Sequence, residues 1–256
     1  MLCFGREMSK LLILALETSL ETASCAVWDG VRKILLSELR TYAYQTLAQR
    51  LPILVQSVVE NAGVSLQSLD LVAVSLGPGS FTSVRVGLAF AKGLSMALDK
   101  PIIGVRTLDA LALSASGCEN SLIVALYPSR PSRPTEVYAS FFKASEKSLV
   151  RDGNEFACDF SDLVAKLRGR LEKTIILVGT LPKGAKIVLD NWDDEKKLLL
   201  PLTPHLPSAS FVAQRAWQIW QEQQKSDDPI TLLPIYVLPS YAESRFGISV
   251  SIRQAS

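Results

Sequence analysis

Leu11-Leu12-Ile13-Leu14-Ala15-Leu16-Glu17-Thr18-Ser19 is a run of six aliphatic residues that stops on an acid and two hydroxyls. An uninterrupted apolar run of this length, with Lys10 before it and Glu17 after it, is the pattern of a central strand buried on both faces. Working outward, Thr22–Trp28 reads as a second strand, Asp29-Gly30 carries a tight-hairpin signal, and Val31–Leu39 completes a meander.

Downstream, Leu47, Leu51, Leu54, Val55, Val58, Val59 and Ala62 recur at three- and four-residue spacing, which predicts an amphipathic helix closed by Gly63. Pro52 lies inside it and should kink it or leave one carbonyl unpaired. Leu71–Leu76 reads as another buried strand, Gly77-Pro78-Gly79 as a turn, and Thr82–Leu98 as a long helix. Pro101–Val105 is a further strand, and Thr107 is a candidate N-cap for a helix over Leu108–Ala115. The order β-β-β-α-β-α-β-α describes a mixed α/β sheet of the ribonuclease-H-like kind.

The second half starts the same way. Leu122–Tyr127 and Glu136–Lys143 read as strands, Asp152-Gly153 as a turn, and Thr174–Gly179 as a strand. Ser161 is expected to cap a helix carrying Leu163, Val164, Leu167 and Leu171. Ser210–Gln224 forms another helix, with Phe211, Val212, Ala216, Ile219 and Trp220 inward. The expected organisation is a first unit over 9–115, a second, reduced and degenerate echo over 116–225 whose last helix (208–224) returns to the first, and a linker with a C-terminal tail over 226–256. Lys225–Pro229 reads as a solvated linker, and Ser240–Ser256 has no period of either kind. Met8 is an alternative start, because Met1–Glu7 has no structural pattern.

Composition narrows the chemistry. Among 256 residues, 48% are hydrophobic, enough apolar material to offset chain entropy and exclude disorder. Lys and Arg number 27 against 25 Asp and Glu, so the charge of +2 offers no general attraction for phosphate backbones. The six-residue run is too short for a membrane span of about 20 residues or for a secretory apolar core of about 7–15, so a cytoplasmic protein is expected. Cys3, Cys25, Cys118 and Cys158 are scattered without a C-x-x-C pair, which suggests neither a thiolate metal site nor a disulfide framework. His205 is the only histidine, so no two-histidine metal site can be built, and a Ser-His-Asp triad would depend on a residue flanked by Pro204 and Pro207.

Three segments could carry function. Leu76-Gly77-Pro78-Gly79-Ser80-Phe81-Thr82-Ser83-Val84-Arg85-Val86-Gly87 is a strand end, a glycine turn and a helix start, where backbone N–H groups can receive an anion or simply close a turn. It is not a P-loop, because Lys92-Gly93 reverses the required order, nor a dinucleotide fingerprint, because Thr82 stands at the third glycine position. In the helix that follows, Ser83, Gly87, Ala91 and Ser95 repeat every fourth residue. That bare face fits either close packing on the chain's own sheet or another helix approaching from outside. The second reading is favoured because Val84, Leu88, Leu94 and Leu98 already supply a sheet-facing stripe. Third, Glu17-Thr18-Ser19 at a strand end is the arrangement with which actin-like ATPases hold Mg²⁺ and phosphate, though an acid there also serves as a plain turn residue.

Leu14–Ser19, and Leu76–Gly87 continuing through Ala89-Phe90-Ala91-Lys92-Gly93-Leu94, resemble the bacterial TsaB (YeaZ) family, a glycoprotease-like branch of the actin/Hsp70/sugar-kinase superfamily (ASKHA). The resemblance covers Leu11–Leu113 well and the second half loosely, with echoes at Glu136-Val137-Tyr138, Pro207-Ser208-Ala209 and Pro234-Ile235-Tyr236. It implies two ribonuclease-H-like domains and a non-catalytic partner of the related subunit TsaD and the ATPase TsaE. That complex places threonylcarbamoyl on the adenosine beside the anticodon of ANN-reading tRNAs, with TsaD carrying the metal-binding histidines. The resemblance further implies pairing through the helices at Leu47–Ala62 and Thr82–Leu98, hence an interface of Leu47, Leu51, Leu54, Ser83, Val84, Gly87, Leu88, Ala91 and Ser95. Glu17, Thr18, Ser19, Gly77, Gly79, Ser80 and Thr82 would form a vestigial nucleotide or anion site. No cofactor is expected in this chain itself, nucleotide being placed at the partner interface, and tRNA contact would come only through the complex. A homodimer is expected in isolation.

Departures from the family pattern are Glu17 for Asp, Ser83 for Gly, Thr46 where His is common, Leu238 where Arg often follows, and Tyr127–Pro134 in place of Asp-Ala-Arg. The rival from another class is an ATP-dependent phosphotransferase of the same superfamily, for which Val178–Gly184 is a poor second phosphate loop. A peptidase would need a nucleophile–base pair that the chain does not display.

Overall fold

The computed structural model describes residues 10–145, 149–192, 197–202 and 205–238. The alternative start at Met8, Cys3 and the tail 240–256 lie outside the described residues. Strands β1 (Leu12–Glu17), β2 (Thr22–Asp29), β3 (Ile34–Tyr42), β4 (Leu71–Ser75) and β5 (Ile102–Val105) form one sheet in the order β3-β2-β1-β4-β5. β1 pairs antiparallel with β2 and parallel with β4, so it is the central strand.

Its unbroken apolar run follows from that position. Leu12, Leu14 and Leu16 face one core, shared with helices α1 (Leu47–Asn61) and α2 (Phe81–Leu98). Ile13 and Ala15 face another, shared with α3 (Thr107–Ala112) and α6 (Ala209–Gln223). Alternate side chains of a strand point to opposite faces, so a strand covered on both sides is apolar throughout.

The second sheet repeats the logic. It contains β6 (Leu122–Arg130), β7 (Arg133–Ala144), β8 (Leu149–Arg151), β10 (Thr174–Gly179) and β11 (Leu198–Leu202) in the order β11-β10-β6-β7-β8, with β9 (Phe156–Asp159) also on β7. In β6, Ile123, Ala125 and Tyr127 face α3, while Leu122, Val124 and Leu126 face α4 (Phe160–Arg168). With its short α5 (Ala185–Asp190), this sheet has six strands against five in the first, and so is not reduced in strand number. α3 and α6 contact each other, α6 covering the first sheet and α3 reaching the second.

Several local expectations are corrected. The turn after Asp29 spans four residues, Gly30 to Lys33, because the Asp29 carboxylate accepts from the Val31 and Arg32 N–H groups. Gly30 is needed for a different reason, since a Cβ there would lie 2.9 Å from the Trp217 ring. α1 runs unbroken through Pro52, which is exposed, so the carbonyl it leaves unpaired can face water. Gly63, at φ +67°, ends it, with Gly63 N–H donating to Glu60 O and Val64 N–H to Val59 O.

Thr107 is the first residue of α3 and not its cap, and Ser161 lies inside α4, whose N-cap is Asp159. Leu171 is 97% exposed and belongs to no core. Much of Tyr127–Pro134 is strand, closed by Pro131-Ser132 into a long β6–β7 hairpin.

The stretch read as a solvated linker is docked on the chain. Asp227 N–H donates to Ile102 O at 2.9 Å, and its carboxylate accepts from Gly104 N–H at 2.8 Å. Leu232 and Ile235 then pack on the first core, and Val237 and Leu238 on a core of the second sheet.

Candidate functional site

The C-terminal ends of β1 and β4 bring Glu17, Thr18 and Ser19 against Gly77-Pro78-Gly79. Glu17 is 2% exposed, and Thr18 and Ser19 are fully buried. One Glu17 carboxylate oxygen accepts from both the backbone N–H and the hydroxyl of Ser19. The other has no partner among the described residues, and neither do the Thr18 and Thr107 hydroxyls.

Burial pushes the Glu17 carboxyl above its ordinary value, against the opposing pull of the Ser19 hydrogen bonds, the nearby Ser75 hydroxyl and the Arg40 charge. Ser80 N–H donates to Ser19 O at 2.7 Å, and a Cβ on Gly79 would overlap that same carbonyl. The glycine is therefore required for the close approach of two turns. Tyr127, from the second sheet, is fully buried and donates its hydroxyl to Pro78 O. From outside, Ile235 N–H donates to Leu76 O at 2.8 Å and Thr107 N–H to Gly77 O at 2.9 Å.

Of the residues assigned to an anion site, Glu17, Thr18, Ser19 and Gly77 are thus enclosed, Gly79 and Ser80 lie toward the rim, and Thr82 is exposed. Ser80 caps α2 through Ser83 N–H at 3.4 Å. The geometry is that of a packed junction, with the helix N-terminus answered by the chain's own serines.

The second phosphate loop considered for Val178–Gly184 is also committed to packing. His205 N–H donates to Gly179 O at 2.7 Å, Thr180 N–H donates to Leu126 O at 3.1 Å, and a Cβ on Gly179 would overlap Leu126 O. Among the described residues, no three His, Cys, Asp or Glu side chains gather to hold a metal ion. No helix among them is long and apolar enough to cross a membrane.

The small-residue face of α2 is where the sequence reading needs correction. Val84, Gly87, Leu88, Ala91 and Ser95 are its buried residues, so the bare stripe faces the chain's own sheet and not a partner. A Cβ on Gly87 would overlap the Thr18 hydroxyl, and Ser95 donates its hydroxyl to Lys100 O at 2.6 Å. Leu47 and Leu51 of α1 are buried too, leaving Ser83 and Leu54 half-buried from the expected interface. Leu94 and Leu98, assigned to the sheet, are only half-buried.

The outer face, which the periodicity argument passed over, carries Ala89, Gly93 and Ala97, all exposed, between half-buried Val86, Phe90 and Leu94. A Cβ on Gly93 would meet nothing within 4 Å among the described residues. In the sequence the signal is Gly93 itself, a glycine inside a helical run, which costs about 1 kcal/mol relative to alanine.

Comparison with known proteins locates this architecture. A profile of the family described as TsaD, tRNA N6-adenosine threonylcarbamoyltransferase, matches residues 41–168. The tRNA threonylcarbamoyladenosine biosynthesis protein TsaB of Haemophilus influenzae is 38% identical over 108 residues, 42% of this chain and 44% of that protein, less than half of its length. TsaB of Buchnera aphidicola subsp. Schizaphis graminum is 36% identical over 193 residues, 74% of this chain and 88% of the relative. Among solved structures, YeaZ from Pseudomonas aeruginosa superposes with a TM-score of 0.70 at 25% identity, covering 88% of this chain and 99% of that one. An inorganic polyphosphate/ATP-glucomannokinase from Arthrobacter shares the fold alone, with a TM-score of 0.51 at 12% identity over 83% of this chain and 100% of the other.

Proposed function

The chain belongs to the TsaB (YeaZ) family of tRNA threonylcarbamoyladenosine biosynthesis proteins, and from that membership we propose that it is a non-catalytic partner subunit of the threonylcarbamoyl-transfer complex. In this reading it pairs with TsaD, reaches TsaE and tRNA through the assembly, and supports modification of the adenosine beside the anticodon of ANN-reading tRNAs. The first unit, 9–115, carries the docking face, while the second, 116–225, and the segment from 226 buttress it. Alone, the chain pairs with a second copy through the same face. The family profile that matches is that of TsaD itself, over residues 41–168, a stretch that includes both α1 and α2, so in this reading the partner carries related helices and like helices can meet across a pseudo-twofold contact.

The observation that carries the proposal is the outer face of α2, where Gly93 opens a gap with no occupant among the described residues, beside exposed Ala89 and Ala97. Small residues in that position let a second helix approach closely, and Leu54 with Ile53, 65% exposed on α1, extends the apolar surface. The non-catalytic role is supported by the closure of Glu17 under Ser19, Pro78 and Tyr127, and in this reading any nucleotide would sit at the partner interface. The phosphotransferase alternative needs that turn open, and titration of the isolated chain with Mg-ATP tests it directly.

The deciding experiment is size-exclusion chromatography of the full chain with TsaD from the same host. Co-elution that is lost on Gly93→Arg supports the proposal. Co-elution that survives the substitution overturns the assignment of this face, and failure of the unsubstituted chain to pair overturns the partner role.

A further inference from the structure

Leu232–Leu238 is the end of a strap, beginning at Asp227, that crosses the first unit beside α2. The strap is held at every stage. Asp227 pairs with the β5 backbone at Ile102 and Gly104. The Asp228 carboxylate accepts from Ile230 N–H at 2.9 Å and from the Thr231 hydroxyl at 3.1 Å, while Leu232 N–H donates to Asp228 O at 2.9 Å. Farther on, the Tyr236 ring stacks on Phe81 with centroids 4.9 Å apart. The Arg85 guanidinium lies 3.6 Å over the Phe81 ring and donates to the Tyr236 hydroxyl at 2.6 Å. Pro229 and Pro234 restrict the backbone further.

On this rigid track two large apolar side chains point away from the core. Ile230 is 77% exposed and Leu233 is 49% exposed, although their neighbours Leu232 and Ile235 are packed inward. The Lys92 ammonium donates to Ile230 O at 3.4 Å, which sets Ile230 against the flank of α2. Ala89 and Met96 are the neighbours of Lys92 one turn away on the helix surface, and both are exposed, Met96 at 61%. Ile230 therefore lies on the flank of α2 beside the exposed Ala89, Gly93 and Met96. Single exposed aliphatics are ordinary, but a contiguous apolar patch on fixed backbone is the mark of a docking surface.

Resting on the proposed pairing through α2, we propose that Ile230 and Leu233 of the strap are partner-contact residues that widen the TsaD docking surface beyond the two helices. The strap then acts as a fixed shoulder against which the partner's helix pair seats.

The test is the dissociation constant of the full chain with TsaD, by isothermal titration, for the unsubstituted chain, for Ile230→Asp with Leu233→Asp, and for Gly93→Arg. Thermal midpoints of the free chains are measured alongside. The expected result is at least tenfold weaker binding by the strap variant at an unchanged midpoint. If the aspartates lower the midpoint, Ile230→Ser with Leu233→Ser replaces them and should weaken binding in the same direction. Strap variants that bind within twofold of the unsubstituted chain, while Gly93→Arg abolishes binding, overturn this inference and leave the helix pairing standing. Full binding by both the strap and the Gly93 variants overturns the helix pairing and the strap inference together.

Discussion

On the inner side of α2, Gly87 lies so close to Thr18 that no side chain fits between helix and turn, while on the outer side Gly93 looks into open space. Both glycines cost helix stability of about 1 kcal/mol relative to alanine. Inside, the loss is offset by bringing α2 down onto β1 and β4, where Val84, Leu88 and Ala91 are buried. Outside, nothing among the described residues offsets it. The same residue type on one helix thus answers to the fold at one position and, in our reading, to a partner at the other.

The largest effect that would break this contrast is Gly87→Arg. A long charged side chain against a buried threonine should destabilise the free chain by about 3 kcal/mol or more, read as a lowered denaturant midpoint. A stable Gly87→Arg monomer would contradict the inner packing. Next in size, Gly93→Arg should leave the unfolding midpoint of the free chain unchanged or raised, since arginine is also a better helix former than glycine, and weaken pairing with TsaD at least tenfold, or about 1.4 kcal/mol. Smaller still, Gly93→Ala should raise the stability of the free chain by up to about 1 kcal/mol, because it relieves the helix and meets no neighbour.

The smallest effect is a change of slope. Burial raises the Glu17 carboxyl in the folded chain, so the fold binds its proton more tightly than the unfolded chain does. The stabilisation from that proton is complete below the unfolded value of 4.5 and is lost as pH climbs through the raised folded value. Glu17→Gln keeps the shape without the proton. Its stability should gain on the unsubstituted chain between acid and neutral pH, and parallel curves in pH-dependent denaturation would show that Glu17 is not held as an acid.

The first unit was readable because its signals are local. An apolar run with no polar alternation, helical spacing from Leu47 to Ala62, and a glycine turn before a helix each state their own secondary structure. The parallel sense of β4 beside β1 follows because β2 and β3 reverse the chain twice and α1 then carries it back across the sheet. The second unit was less readable where its cues pointed to the wrong partner. Pro128, Pro131 and Pro134 suggested a loop, yet the hairpin accommodates them through a register shift after Pro128 and a turn at Pro131. β8, β9, β11 and α5 carry no clear local signal, since β8 and β9 have three and four residues, Leu198–Leu202 is a short edge strand containing Pro201, and α5 has six residues.

At the candidate site, the sequence located the turn but could not tell an open anion cradle from a closed junction. Closure depends on Tyr127, separated from Pro78 by 49 positions, and on Ile235, whose N–H reaches Leu76 O. Neither distance is encoded in the motif itself.

The composition and the local periods by themselves determined an α/β chain with doubly buried central strands, a single histidine, and a small-residue stripe on its longest helix. Which face of that helix turned inward was decided by the tertiary structure alone. Small residues every fourth position satisfy equally a sheet beneath the helix and a partner above it. Only the placement of Thr18 against Gly87, with empty space beside Gly93, distinguishes the two.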